Sequence, residues 1–437
     1  VKYKEGAMLK IILLTCLACT GLVWPLKASA LDLQQCIARG LERNPQVKAY
    51  QLATREAGEA VNESLGAFLP TLTASFTETT LDNGSSPERD ADFLSQDSQT
   101  LSVRLSQPLF TGFAGVAGYK RARHAQIYRN SELRYMQQQL VREVKVNYFD
   151  VLRTRQLVEK WQESTRRLEN QRKISAAWVE QELAPRLRLL EVEVELSNAR
   201  QRLANAQAAR AIAEAKLREW IVYPQDQPLE LDAVPAIATA VPCDSAEECA
   251  RKGLANRPEL ELARQNIQIA RQDSTSILAR NLPQASVDAS WVDYNRSFDN
   301  NTINSEERDY YTVSLNVSIR PFQGGRNIAA WRRQQLAVQR LEQDLISRSN
   351  SIDTDARTRF AQIEEARSRL ENSAQGLAEA REAYNCAEQS TKLGVSSLND
   401  LLSAEIRLTQ AEINRIEAEN ALRQARVQLD YVVGVTD

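Results

Sequence analysis

The chain is written twice. Cys36, Gly40, Leu41 and Pro45 recur 213 positions later as Cys249, Gly253, Leu254 and Pro258. The same offset carries Leu69-Pro70 to Leu282-Pro283, Pro108 to Pro321, and Gly112 to Gly325. A repeat of this length has to be recognised before any local feature is interpreted. Whatever residues 31–222 build, residues 245–437 build again, across a proline-rich linker at 223–244 that holds Pro224, Pro228, Pro235 and Pro242.

Each copy ends in a seven-residue ladder. Leu189, Leu196, Leu203 and Leu217 form one, with Arg210 in the odd slot. Leu401, Leu408, Leu422 and Leu429 form the other, with Arg415 in the odd slot. Three residues on run two rows of mostly small side chains: Val192, Ala199, Ala206 and Ala213, and Ala404, Ala411, Ala418, Ala425 and Val432. Strict heptads belong to helices that supercoil about partners, and small residues let a neighbouring backbone approach.

Proline is absent between Pro108 and Pro185 and after Pro321, which leaves room for very long helices. Long helices are expected at about 112–180, 186–221, 325–392 and 398–434. The third, at roughly 68 residues, is about 100 Å long at 1.5 Å per residue. That length suits a tube or stalk of side-by-side helices.

Between the short helices of each copy and its first long helix lie two segments of strict alternation. Leu72, Ala74 and Phe76 alternate with Thr73, Ser75 and Thr77, and Leu101, Val103 and Leu105 with Ser102, Arg104 and Ser106. In the second copy Val287, Ala289 and Trp291 alternate with Ser286, Asp288 and Ser290. Val313, Leu315, Val317 and Ile319 alternate with Thr312, Ser314, Asn316, Ser318 and Arg320. Strands are expected at about 71–81, 100–109, 285–294 and 310–320, each with one apolar and one polar face. In a membrane barrel the apolar face meets lipid and the polar face lines a lumen. On that reading Arg104, Asp288 and Arg320 are lumen residues. The strands are joined by long polar loops, 82–99 and 295–309. Four strands cannot close a barrel, and open edges are not tolerated in lipid, so several chains must share one.

Composition narrows the function. The 55 basic and 57 acidic residues nearly cancel, which implies no nucleic-acid surface. One histidine and two methionines argue against a metal site built from them, and no cofactor is expected. No phosphate-binding loop, Gly-x-Ser-x-Gly or histidine cluster is present, so an enzyme is not expected. His124 falls within a long helix, and the glycines at 112, 115 and 118 serve a strand-to-helix transition.

Residues 1–30 read as an export signal. Lys2, Lys4 and Lys10 precede an uncharged run from Ile11 to Val23, and Ala28-Ser29-Ala30 fits a signal-peptidase site. Cys19 lacks the residue pattern of a lipoprotein signal. In the oxidising periplasm the remaining cysteines, Cys36, Cys243, Cys249 and Cys386, can form disulfides or stay free. Cys243 and Cys249 are close enough to pair, but sequence leaves the choice open.

Several motifs now stand in order, twice: the Gly-Leu-x-x-x-Pro turns at 40–45 and 253–258, the Leu-Pro stops, and the strand ends Gln107-Pro108-Leu109-Phe110 and Arg320-Pro321-Phe322. To these are added the segment Val146–Leu152 and the helix entry Leu393–Leu402. Over about residues 32–435 the chain resembles the TolC family of outer-membrane efflux and secretion channels. The resemblance implies a homotrimer in which one twelve-stranded β-barrel, embedded in outer-membrane lipid, continues as a periplasmic α-helical barrel of twelve helices. It implies a passive channel that works with a periplasmic adaptor (membrane fusion) protein and an inner-membrane transporter of RND or ABC type. Related channels carry drugs, metal ions, polysaccharides or secreted proteins.

The family's gate aspartates fall on Asp400 and Ser403, and its restraining tyrosine and arginine on Thr391 and Ser396. Asp400 is therefore a candidate pore constriction, yet Ser397-x-x-Asp400 is equally a helix-capping pattern. Arg188 occupies the corresponding place in the first copy and is expected to pair with Asp400. Pro108, Gly112, Pro321 and Gly325 are the expected strand-end and helix-start turns, and the hairpin turns at 180–188 and 392–400 the adaptor's docking points. The competing readings are an exported trimeric coiled-coil stalk or adhesin without a pore, and a periplasmic adaptor. Neither needs two paired sets of alternating strands.

Overall fold

In a computed structural model, residues 31–81, 96–232, 242–298, 306–393 and 395–435 are described. The expected signal at 1–30 lies outside them, as do most of loop 82–99 and the centre of loop 295–309.

The elements run α1 (Leu33–Arg43), α2 (Pro45–Leu65), β1 (Thr71–Leu81), β2 (Gln96–Phe110), α3 (Ala114–Glu180) and α4 (Arg186–Ile221). The second copy repeats them as α5 (Ala246–Asn256), α6 (Pro258–Ala279), β3 (Gln284–Phe298), β4 (Glu306–Ser318), α7 (Arg326–Lys392) and α8 (Leu398–Val433). Helices α3 and α7 each have 67 residues, and α4 and α8 each have 36, so the duplication seen in sequence is also one of structure.

Local chemistry sets the joints. Pro45 and Pro258 each occupy the first turn of a helix, where a missing N–H costs nothing. Asn44 caps α2 by accepting a hydrogen bond from the Gln46 N–H at 2.9 Å. Ser245 caps α5 through the Glu248 N–H. Cys243, just before α5, forms a disulfide with Cys249 in the first turn of that helix. Cys36 is buried and free, and Cys386 is exposed and free.

The described residues group into two compact units. One lies within Val1–Gly40, Val144–Ile237 and Gly376–Asn420, and the other within Leu41–Glu143, Ala238–Gln375 and Ala421–Asp437. Among the described residues the first unit has helices joined by turns, and its one β-bridge pairs Leu31 with Leu231. Its core joins Leu168 of α3, Val192, Leu196 and Ala199 of α4, and Leu398, Leu401 and Leu402 of α8. The heptad leucines and the small residues beside them are thus the packing surface, as knobs-into-holes packing requires. The second unit carries the four strands and a core of Ala356, Ile363, Leu429, Val432 and Val433 against the disulfide.

The sheet is antiparallel throughout, in the order β1-β2-β3-β4. Pro108 lies inside β2 rather than ending it. The register shifts between Pro108 and Phe110, a bulge that absorbs the missing donor. Gly112 follows at φ +60, and a Cβ there would stand 2.7 Å from the Ala279 carbonyl oxygen. Gly325 takes φ +77 with open space around it. Pro321 lies three residues beyond the end of β4.

Candidate functional site

The sheet sorts its residues into two faces. One cross-strand row joins Leu72, Leu105, Ala289 and Val313, and the next joins Ala74, Val103, Trp291 and Tyr311. On the other face Thr73, Arg104, Ser290 and Thr312 share a row, and Thr71, Ser106, Asp288 and Ser314 the next. The apolar face is bare: Val313 is 78% exposed and Leu72 71%. Burying such side chains is worth about 1.5–3 kcal/mol each, so a face of this kind calls for an apolar medium or a partner.

The polar face is internally bonded. The Ser75 and Ser102 hydroxyls lie 2.8 Å apart, and those of Ser290 and Thr312 2.6 Å apart. Asp288 accepts from the Ser286 hydroxyl at 3.1 Å and from the Asn316 amide at 2.5 Å. Arg104 sits one row from Asp288, so opposite charges stand on a diagonal. Arg320 lies two residues past β4, beside Arg280 and Arg326.

The second candidate region is the entry to α8, in the helical unit. The Ser397 hydroxyl accepts from the Asp400 N–H at 3.2 Å. The Asp400 carboxylate accepts in return from the Ser397 N–H at 3.0 Å and its hydroxyl at 2.7 Å. This is a reciprocal capping box. The two Ser397 hydrogen bonds hold the Asp400 carboxyl below its ordinary range. Thr391 and Ser396 hydrogen-bond each other at 2.9 Å. Ser403 is exposed. Arg188 does not pair with Asp400 within the chain. Its guanidinium stacks 4.5 Å above the Trp178 ring, a cation–π contact that takes the place of the expected ion pair.

An ion ladder joins α3 and α8, at residues that carried no expectation from sequence. Arg167 bonds Glu405 at 2.8 Å, Lys160 approaches Glu412 at 3.9 Å, and Arg153 bonds Glu417 at 2.8 Å. Ser164 and Thr409 complete the Glu405 site, each within 3.2 Å of its Oε1. The signal was present. Arg153, Lys160 and Arg167 recur every seven residues, as do Glu405 and Glu412, which each follow a small heptad residue.

Among the described residues no group of His, Cys, Asp and Glu side chains could hold a metal, and no helix is long and apolar enough to cross a membrane.

Comparison with known proteins agrees with this anatomy. The chain is 23% identical over 411 residues to the outer membrane protein TolC of Vibrio cholerae, covering 93% of this chain and 91% of the relative. It is 26% identical over 429 residues to the alkaline protease secretion protein AprF of Pseudomonas aeruginosa, covering 94% and 86%. In structure it superposes on CusC, whose crystal structures concern folding and transmembrane channel formation, with a TM-score of 0.79 at 14% identity and 92% coverage of each chain. The sequence profile of the outer membrane efflux protein family matches residues 36–221 and again residues 250–435, one match per copy. The chain belongs to the outer membrane efflux protein family.

Proposed function

We propose that this chain is the outer-membrane exit duct of a tripartite efflux or type I secretion system, and that three copies close one twelve-stranded barrel. The carrying observation is the four-stranded sheet, with a bare apolar face, a hydrogen-bonded polar face and two unpaired edges, β1 and β4. In lipid an unpaired strand edge costs several kcal/mol for each exposed backbone group. An edge β4 and an edge β1 from neighbouring copies run antiparallel and can pair, which removes every edge at once. The apolar rows then face lipid and the rows holding Arg104 and Asp288 face water.

The helical portion supplies the periplasmic tube. The heptad faces of α4 and α8 suit side-by-side packing of helices from several copies. The hairpin turns at 180–188 and 392–400 present exposed Leu183, Leu187, Leu393 and Val395. A periplasmic adaptor protein docks there in this reading, and an inner-membrane transporter of RND or ABC type supplies the energy. Family membership and the bare sheet face both weigh against a stalk without a pore. The test is the mass of the detergent-solubilised protein by native mass spectrometry. Three chains per particle support the shared barrel. A stable monomer or dimer rejects it.

A further inference from the structure

The two copies differ where β4 passes into α7. A hollow of about 180 Å3 opens there, lined by Arg280, Arg320 and Arg326 with Gln284, Ser318 and Asn327. Among the described residues no carboxylate lines it. Among the described residues neither Arg280 nor Arg320 forms an ion pair, and the Arg326 guanidinium donates only to the Gln323 side chain, at 3.1 Å. Three guanidinium groups thus converge without a counter-charge.

The fold itself does not require them. With the offset of 213, the matching positions in the first copy are Ala67, Gln107 and Phe113. The same strand-to-helix junction is built there from neutral side chains, and Gln107 spends its amide on the Phe68 and Pro108 carbonyls. A charge cluster present in one copy and dispensable in its twin is a candidate for recognition.

Its surroundings select the ligand. Gln284 and Ser318 are register partners and stand on the same face as Asp288 and Asn316, because side chains alternate along a strand. The N-terminal end of the α7 dipole adds positive potential. Guanidinium forks match oxyanions in a bidentate manner. On the channel reading, the end of the sheet next to α7 also falls at the level of the bilayer's polar heads.

We propose that Arg280, Arg320 and Arg326 form a binding site for phosphate-class oxyanions at the foot of the sheet. The location of this site beside a lumen and a headgroup layer rests on the channel reading, but binding is measured without conduction. The anion is either a phosphate group on a soluble molecule in the lumen or the phosphate of a lipid headgroup.

The test is calorimetric titration of inorganic pyrophosphate into the full-length detergent-solubilised protein, with Arg280→Gln/Arg320→Gln and Arg280→Lys/Arg320→Lys beside it. Native mass spectrometry of the same samples reads retained phospholipid. Saturable pyrophosphate binding that weakens about tenfold or more in the Gln variant, and less in the Lys variant, supports a site for soluble oxyanions. Anionic phospholipid retained by the wild type and lost by the Gln variant supports a headgroup site. Pyrophosphate binding and phospholipid retention both unchanged by the Gln substitutions, or both absent from the wild type, overturn the site. A protein that binds but does not conduct keeps the site and defeats the channel.

Discussion

Arg167 on α3 grips Glu405 on α8, with its Nε 2.8 Å from each carboxylate oxygen, and Glu405 is only 4% exposed. Removing one member of a buried pair strands the other, which costs more than the intact pair contributes. Glu405→Leu is expected to cost about 2–4 kcal/mol, below the roughly 3–5 of a fully buried pair, because the Arg167 side chain keeps 24% exposure. Arg167→Met with Glu405→Leu is expected to recover most of that loss. A double-mutant cycle from thermal unfolding in detergent checks it. Additive single effects would mean that the two residues are not coupled.

Gly112 and Gly325 hold matching places in the two copies and share a left-handed backbone, but only Gly112 lacks room for a Cβ. Gly325→Ala should cost about 1–2 kcal/mol of backbone strain. Gly112→Ala adds a 2.7 Å clash with the Ala279 carbonyl oxygen and should cost distinctly more. Comparing the yields of folded protein and the melting temperatures of the two variants decides this. Equal effects would place the whole requirement in the backbone angle.

High pH should loosen the helical unit. Burial pushes the Cys36 thiol up from 9.0 to about 11, with Asp32 adding to the shift. Burial likewise lifts Tyr148 from 10.0 to about 12. Both groups are held neutral in the folded state, so the unfolded chain loses their protons first. It then binds fewer protons than the folded chain, and stability falls with rising pH. The contribution is complete below about pH 9 and is lost between about pH 9 and 12. The melting temperature should therefore decline across that window, and less steeply in Cys36→Ala/Tyr148→Phe. An identical slope in the variant would assign the decline to other groups.

The residues that announced the fold in sequence did so by period. Leu72, Ala74 and Phe76 alternate because a strand has two faces, and the observed rows preserve that alternation across all four strands. Leu401 and Leu408 stand seven apart, with Ala404 three residues on from the first, because helices pack along a seam, and all three are buried. The ion ladder kept the same period but lay one position off the apolar seam, where charges are ordinarily solvated. Only the antiparallel approach of α3 shows that Glu405 is enclosed. Pro108 looked like a strand end because proline cannot donate, whereas a bulge lets β2 continue to Phe110. The Asp400 pattern fitted a cap and a constriction equally. The hydrogen bonds within one chain establish the cap, while a constriction depends on an assembly that one chain does not display.

The most direct test of the channel account is single-channel conductance of the purified protein in a planar bilayer, wild type beside Asp400→Ala. The account predicts discrete steps in the wild type. A ring of Asp400 carboxylates at a constriction predicts larger steps and weaker cation preference in the variant, and steps unchanged by the substitution return Asp400 to capping alone. Absence of conductance from both proteins, with the purified chain soluble without detergent, would contradict the account.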